Sequence, residues 1–487
     1  MRSAFLVLFK KGSLPASHQI LLEKQKMKSF TRKNALSVSV GLLVWIGAAV
    51  SVFGQPVYTR PTTTASPKPL LQDIQVQSSA TAPTPSSTPL VNRTAAVSPA
   101  YPVFNDVAIP GYSGILVETL DGKAVIDSYS NYAFNPASNV KIATSFAVLK
   151  TFGPAYRFQT SVWTDGQIDA ATGTLYGNLY VSGRDPMFHF EHGVTLAQEL
   201  NRLGITSVNG DLIVTDNFSM SYNMSPAASG NTLAATMNAA RRGAAANRAW
   251  QAHLVNAGKY NQTSLNPSVA FSGSVYVQPM PSNLRQLFTH ESAPLKEIVK
   301  VMMCYSNNFL SERLGDMVGG PYAVARIAHQ HAGIAPQELS LATASGLGIN
   351  RVTPKAMMKV LRALRTDLAK WKLSFADIMP VAGIDKGTLE GRFDTDFARG
   401  SVVGKTGTLG NTDGGVSALA GEVTTRSGKL LFVIFNQRGS VPRFRAFQNN
   451  YVAMIQGQFG GAAPMPYNAV SLDVRLANTR VTYPNAN

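Results

Sequence analysis

Three runs near the C-terminus, SVVGKTGTL, GGVSALAGEV and KLLFVIFNQ, constrain the fold more than any other feature of the sequence. Each has the length and β-branched content of a strand, and only short turns separate them, so they must pair as neighbours in an antiparallel sheet. A helical pattern, FRAFQNNYVAMIQGQF, follows directly, and others precede them in PLKEIVKVMMCYSNNFLSERLGDMV and TPKAMMKVLRALRTDL. Helices before and after such a sheet cover its faces, which is an α+β layered arrangement.

The same layer gains a hairpin from GILVETLDGKAVIDSYS, where two apolar runs flank Asp121-Gly122. Beyond it, Ile142, Phe146 and Leu149 keep one helical spacing and Val140, Ala143 and Ala147 a neighbouring one, which predicts a largely buried helix to about Thr151, with Pro136 in the turn before it. Residues 160–290 differ in texture. GTLYGNLYVSGRDP and NGDLIVTDNFS read as strands and VTLAQELNRLG as a helix, whereas the Ala-, Asn- and Ser-rich stretch at 225–268 has poor periodicity and is interrupted by Gly243.

The N-terminal part is not globular in character. Lys28, Arg32 and Lys33 precede the uncharged run Ala35–Gly54, the pattern of an export signal; about 20 apolar residues also suffice for an uncleaved membrane anchor, and both readings stand. The true start is open between Met1 and Met27. Residues 55–100 are rich in Pro, Thr, Ser and Ala, a composition that cannot bury enough apolar surface to fold, and read as a disordered tether. The expected location is therefore the periplasm or cell envelope, with residues 35–54 either removed or retained as a tether.

The chain's formal charge of +17 is less telling than it looks, because nine Lys or Arg against one acid fall in residues 1–60. The rest is modestly basic, without a dense patch or the aromatic-interleaved basic motif of a nucleic-acid binder. The single cysteine, Cys304, excludes an intramolecular disulfide, and its place at the end of an apolar helix predicts a small buried side chain. His189 and His192, or His329 and His331, could share a helix or strand face, but neither pair has a third ligand, so surface or turn histidines are expected and no metal or other cofactor is assigned.

Chemistry enters with Ser138 and Lys141. Three apart at the start of a helix, they lie on one face, and a serine hydroxyl needs a base within reach to become a nucleophile. Lysine can be that base if burial or a nearby positive charge lowers its pKa. A lone S-x-x-K carries little weight, but Ser306-Asn307-Asn308 and Lys405-Thr406-Gly407, followed by Thr408, come after it in order. On a loop between helices, Ser306 could relay a proton to a leaving amine and Asn308 could hold a substrate amide. On an edge strand, Lys405 could offer its charge to a substrate carboxylate, Gly407 could permit close backbone approach, and Thr406 and Thr408 add hydroxyls. The backbone N–H groups of Ser138 and Thr408 suit an oxyanion.

Together the three motifs resemble the signature of penicillin-recognising serine enzymes. Over most of residues 110–460 the chain resembles the D-alanyl-D-alanine carboxypeptidase/endopeptidase family, the low-molecular-mass class C penicillin-binding proteins, in PASNVKIATSFAVL, GTLYGNLYVSGRDP, GITSVNGDLIVTDNF, ESAPLKEIVKVMMCYSNNFLSE, SGLGINRVTP and MPVAGIDKGTLEGRF. The resemblance implies a β-lactamase/D,D-peptidase-like domain. It also implies acylation of Ser138 by a peptidoglycan stem peptide with Lys141 as base, removal of terminal D-Ala with or without cleavage of crosslinks, and trapping by β-lactam antibiotics.

The 168 positions from Ser138 to Ser306 imply a smaller domain inserted between the motifs, shorter than in the family's larger members. The expected boundaries are 101–160 plus 285–465 for the peptidase domain, 161–284 for the insert and 466–487 for a C-terminal tail. The chain departs from the family at Ser182-Gly183-Arg184-Asp185-Pro186 and at Thr343-Ala344-Ser345-Gly346-Leu347. Two other readings remain: a serine β-lactamase, which lacks its Glu-x-x-Leu-Asn segment here and would have to use Glu312, and a non-enzymatic cell-wall-binding protein.

Overall fold

The computed structural model of the protein describes residues 101–484 and the backbone of Ala96–Val97. The expected targeting region and almost all of the expected tether lie outside the described residues. Among the described residues no helix is long and apolar enough to cross a membrane.

Order begins slightly earlier than the composition suggests. Strand β1 (Ala96–Val97) ends the Pro- and Thr-rich stretch and pairs antiparallel with β3 (Ala124–Ser128), because the edge of a formed sheet accepts even a two-residue strand. β2 (Tyr112–Thr119) and β3 form the hairpin expected at Asp121-Gly122, with Gly122 at φ +91° in the turn. Helix α1 (Val140–Phe152) follows. All ten residues from Val140 to Leu149 are buried, so it is a helix wrapped on every side.

The next segment builds separate sheets. β4 (Gln159–Thr164), β5 (Gln167–Asp169), β6 (Thr174–Tyr176) and β7 (Leu179–Gly183) precede helix α2 (Phe190–Arg202); β8 (Ser207–Asn209) and β9 (Leu212–Val214) follow it. The stretch left unassigned by periodicity forms two helices, α3 (Pro226–Met237) and α4 (Ala244–Asn256). Ser225 caps α3, with Pro226 at its first position, and Gly243, which breaks the pattern, is the N-cap of α4. β10 (Ala270–Phe271), β11 (Val275–Val277) and β12 (Arg285–Glu291) complete the segment.

Helices α5 (Leu295–Tyr305), α6 (Asn308–Met317) and α7 (Gly320–Ala332) come next, then the short strands β13 (Leu339–Ser340) and β14 (Arg351–Val352) and helix α8 (Pro354–Lys370). β15 (Val402–Leu409), β16 (Val416–Thr425) and β17 (Gly428–Gln437) are the three late runs, and α9 (Val441–Gln458) follows them. The main sheet is antiparallel throughout, in the order β1-β3-β2-β17-β16-β15.

Its position between two helical layers explains the unbroken apolar run of β17. Leu431, Val433 and Phe435 join a core with α1, α5 and α8, while Leu430, Phe432 and Ile434 join a second core with Tyr451, Val452 and Ile455 of α9. Strand side chains alternate between faces, and here both faces are buried.

The residues after 465 are not a free tail. Helix α10 (Leu472–Leu476) leads into β18 (Arg480–Thr482), which pairs antiparallel with β12 and completes a six-stranded sheet of order β11-β9-β7-β4-β12-β18. The expected domain edges at 160/161 and 284/285 also need correction, because they fall within or against β4 and β12, which pair with each other over Gln159–Thr164 and Arg285–Glu291. The segment between the first two motifs is therefore framed by whole strands, and β18 joins their sheet.

The expectation of surface histidines also fails at one pair. His189 starts α2 and its backbone N–H donates to His192 Nδ1 at 3.0 Å; His192 is buried beside His290 and His253, with ring centroids 4.9 and 5.8 Å away. His329 and His331 lie on α7 rather than a strand, and His329 Nε2 is 2.9 Å from the Leu339 carbonyl oxygen. Among the described residues no group of three or more His, Cys, Asp or Glu is arranged to hold a metal ion.

Candidate active site

The three motifs, 269 positions apart at their extremes of Ser138 and Gly407, converge at the junction of α1, α5–α6 and edge strand β15. Ser138 sits in a single 3-10 turn, Ala137–Asn139, that runs into α1, and Lys141 is the second residue of that helix. The Lys141 ammonium nitrogen lies 3.2 Å from Ser138 Oγ, 2.8 Å from Asn308 Oδ1 and 2.7 Å from the Ser345 carbonyl oxygen. A neutral amine fits this set well: its two N–H bonds point to Asn308 and Ser345, and its lone pair accepts the Ser138 hydroxyl proton. The side chain is 0 % exposed, and burial pushes its pKa down to about 7, with the Glu312 carboxylate opposing that shift.

Ser306 is the left-handed residue (φ 54°, ψ 39°) that ends α5, and Asn308 opens α6, so what reads as one helical stretch breaks at the motif. Asn307 makes the restart possible by accepting the Leu310 N–H at 3.0 Å. Lys405 Nζ donates to Ser306 Oγ at 2.8 Å and to the Thr406 carbonyl at 2.7 Å. Lys405 is also fully buried. Burial, and after it the charge of Lys141, holds its amine well below the usual range, while Cys304 opposes the shift. The charge of Lys141 thus disfavours a second charge on Lys405.

Of the remaining predicted residues, Thr406 is half-buried and Thr408 exposed at the end of β15, where Arg445 Nη2 donates to Thr408 Oγ1 at 3.0 Å. Lys405 points to Ser306, and Arg445 is an exposed cation beside the end of the strand. Gly407 permits close approach, but of the protein's own backbone: a Cβ there would lie 2.6 Å from the Pro136 carbonyl oxygen. The motif strand is thereby pressed against the turn that carries Ser138.

Several residues that hold this geometry have no local signature. Glu312 accepts the N–H groups of Ala344 at 3.1 Å and Ser345 at 2.9 Å, and so fixes the carbonyl that faces Lys141. Each of its two oxygens accepts one amide N–H, so the carboxylate works here as a cap for this turn. Ala137 has φ +47°, a strained conformation for alanine, and its N–H donates to Asn135 Oδ1 at 3.0 Å. Asn135 Nδ2 donates to Asp413 Oδ2 at 2.7 Å, and Arg351 grips Asp413 with two bonds of 3.0 and 2.8 Å. Burial would raise the Asp413 carboxyl, but the bonds from Arg351 and Asn135 outweigh it and hold it below its ordinary value. Cys304 is free and buried, its thiol pushed up to about 12, chiefly by burial.

Gly346 supplies a test of this scaffold. It has φ +87°, and a Cβ would lie 2.0 Å from the Ala137 carbonyl oxygen, so Gly346→Ala must displace the Ser138 turn. We expect acylation to slow by roughly 10²-fold, the effect of an ångström-scale misplacement, with the circular dichroism spectrum retained. An acylation rate within twofold of wild type would refute this coupling.

Comparison with known proteins places the chain in a family. The family model of the D-Ala-D-Ala carboxypeptidase 3 (S13) family matches residues 104–244 and 228–454. The chain is 25% identical over 462 residues to a D-alanyl-D-alanine carboxypeptidase of Actinomadura sp. strain R39, covering 74% of this chain and 84% of that protein. It is 25% identical over 415 residues to the D-alanyl-D-alanine carboxypeptidase DacB of Haemophilus influenzae, covering 66% and 84%.

Among solved structures, a penicillin G-acylated predatory endopeptidase of Bdellovibrio bacteriovorus superposes with a TM-score of 0.64 at 23% identity, covering 76% of this chain and 99% of that one. Penicillin binding protein 4 of Haemophilus influenzae gives a TM-score of 0.53 at 22% identity, covering 71% and 96%. With the family model spanning most of the chain, this protein belongs to the S13 D-Ala-D-Ala carboxypeptidase family and is a serine D,D-peptidase acting on peptidoglycan.

Proposed function

We propose that Ser138 is the residue acylated by the stem peptide and that the protein works chiefly as a carboxypeptidase in the cell envelope. The observation that carries this reading is the 3.2 Å approach of a fully buried lysine amine to the Ser138 hydroxyl. Neutral Lys141 takes the hydroxyl proton as Oγ attacks the carbonyl of the penultimate D-alanine. The oxyanion so formed is stabilised by the backbone N–H groups of Ser138 and Thr408.

Collapse of the tetrahedral intermediate breaks the C–N bond, and the proton that Lys141 took from Ser138 passes through Ser306, which Lys405 orients at 2.8 Å, to the departing D-alanine amine, leaving Lys141 neutral again. Water, deprotonated by Lys141, then cleaves the ester. Asn308 holds both Lys141 and the substrate amide, and the hydroxyls of Thr406 and Thr408, with Arg445, receive the terminal carboxylate. β-Lactams acylate the same serine. The basic, then apolar, N-terminal sequence supports export, with residues 35–54 either removed or kept as a tether.

The test is incubation of the full chain and its Ser138→Ala variant with labelled benzylpenicillin, followed by peptide mass mapping. A persistent adduct on Ser138 is expected, absent from the variant, together with a loss of D-alanine release on the order of 10⁶-fold. Rapid release of the adduct would instead identify a β-lactamase, and no adduct on folded protein would favour a wall-binding protein without catalysis.

A further inference from the structure

A second cleft lies in the inserted region, between α2, α4 and β18, none of which carries a residue of the Ser138 site. It has a volume of about 510 Å³ and is lined by polar and basic side chains, among them Gln198, Arg202, Lys259, Gln262 and Arg480. The lining carries three cations against one carboxylate, Glu199, and that carboxylate is already engaged by Arg202 at 2.9 Å and by the Tyr483 hydroxyl. Arg480 is paired with Glu291. Among the described residues Lys259 has no ion-pair partner, and it is exposed.

The wall behind these groups holds the second observation. Trp250 lines the cleft and is 2 % exposed, yet its indole Nε1 has no hydrogen-bond partner. An unpaired buried N–H is unusual, because such a group gives up the hydrogen bond that water would supply. Behind it His253 stacks on Trp250 with ring centroids 6.2 Å apart, and both nitrogens of buried His290 are likewise unpartnered. The lining therefore has donors in excess, the Lys259 ammonium and the guanidinium N–H groups that the ion pairs of Arg202 and Arg480 leave over, with the Trp250 indole N–H unpartnered in the wall behind them. Its match is an anion rich in acceptor oxygens.

We infer that this cleft is a non-catalytic binding site for a carboxylate of peptidoglycan, presented by a stem peptide other than the one at Ser138. The inference rests on the peptidoglycan-directed activity and names a second point of grip on the same polymer. Two grips on one polymer raise the local concentration of stems at the catalytic serine without a new catalytic contact.

The test uses the full chain with Ser138 blocked by benzylpenicillin, sedimented with purified sacculi. The blocked protein is expected to bind saturably. Lys259→Glu and Trp250→Phe, the latter removing the N–H while keeping the ring packing, should each weaken binding roughly tenfold, the loss of one charge-assisted or buried hydrogen bond. Sacculi with amidated carboxyls should bind equally weakly, and penicillin acylation rates should stay within twofold of wild type. The inference is overturned if blocked protein does not sediment, if amidated sacculi bind as well as native ones, or if Lys123→Glu, an exposed lysine on the hairpin, loses as much binding as Lys259→Glu. Failure of penicillin to acylate would count against the Ser138 reading instead, and sedimentation of unblocked protein with the same variants would still decide the cleft.

Discussion

Lys141→Met is expected to slow acylation of Ser138 by about 10²–10⁴-fold, the usual contribution of a positioned general base, while leaving the fold intact. Methionine fills much of the buried volume but cannot take the hydroxyl proton. The informative variable is pH. Wild-type acylation requires the neutral amine, so its rate should rise with pH through about 7, and the variant's residual rate should lack that inflection. Stability has a matching sign. A lysine whose pKa falls from 10.5 unfolded to about 7 folded gives the unfolded chain more bound protons between those values, so wild-type stability should rise relative to Lys141→Met across pH 7 to 10.5. Acylation rates that fall with rising pH near 7, or that are unchanged by Lys141→Met, would remove lysine from the base role.

The largest effect on stability is expected at a third buried lysine. Lys300 is 0 % exposed, and its three N–H bonds go to Asp385 Oδ2 at 2.6 Å and to the carbonyls of Ala376 and Met379 at 2.8 and 2.6 Å. Asp385 also accepts the Val381 N–H at 2.8 Å and the Tyr467 hydroxyl at 2.9 Å. This knot fastens residues 376–385 to α5, the helix that ends in Ser306. Asp385→Ala leaves an ammonium in the core without a counter-charge and should destabilise by about 3–5 kcal/mol. The double variant Lys300→Met/Asp385→Ala removes the orphan charge as well and should be less destabilised than the single one. Urea unfolding of the two proteins decides the point; a single variant within 1 kcal/mol of wild type would show that the charge is relieved some other way.

What could be read from the residues was whatever repeats or matches locally. Three late runs joined by short turns, with helical patterns before and after, implied an antiparallel sheet covered on its faces, Asp121-Gly122 implied a hairpin, and the two interleaved spacings at 140–149 implied a buried helix. The three motifs named Ser138, Lys141, Ser306, Asn308, Lys405, Thr406, Gly407 and Thr408, and the fold brings them to one place.

The scaffold behind them was silent because its bonds are long-range. Asn135 reaches Asp413 across 278 positions, and Glu312 caps amides 32 and 33 positions away. No spacing rule links such residues. The inward turn of Lys405, the burial of His192 against His253 and His290, and the return of the last strand to β12 were hidden for the same reason: each is decided by the partner.

The pairing of β2 with β17 has a consequence for how the molecule comes into being. Residues 112–119 bond to residues 430–437, so a chain emerging N-terminus first makes its opening hairpin about 300 residues before the strand that covers its free edge exists. Ile115, Leu116 and Val117 wait beside that edge through the whole delivery, and β12 waits likewise for β18. Maturation therefore turns on strands made long after their partners, and a holding factor that shields an unpaired apolar edge should raise the yield of the mature protein more than one that accelerates helix formation.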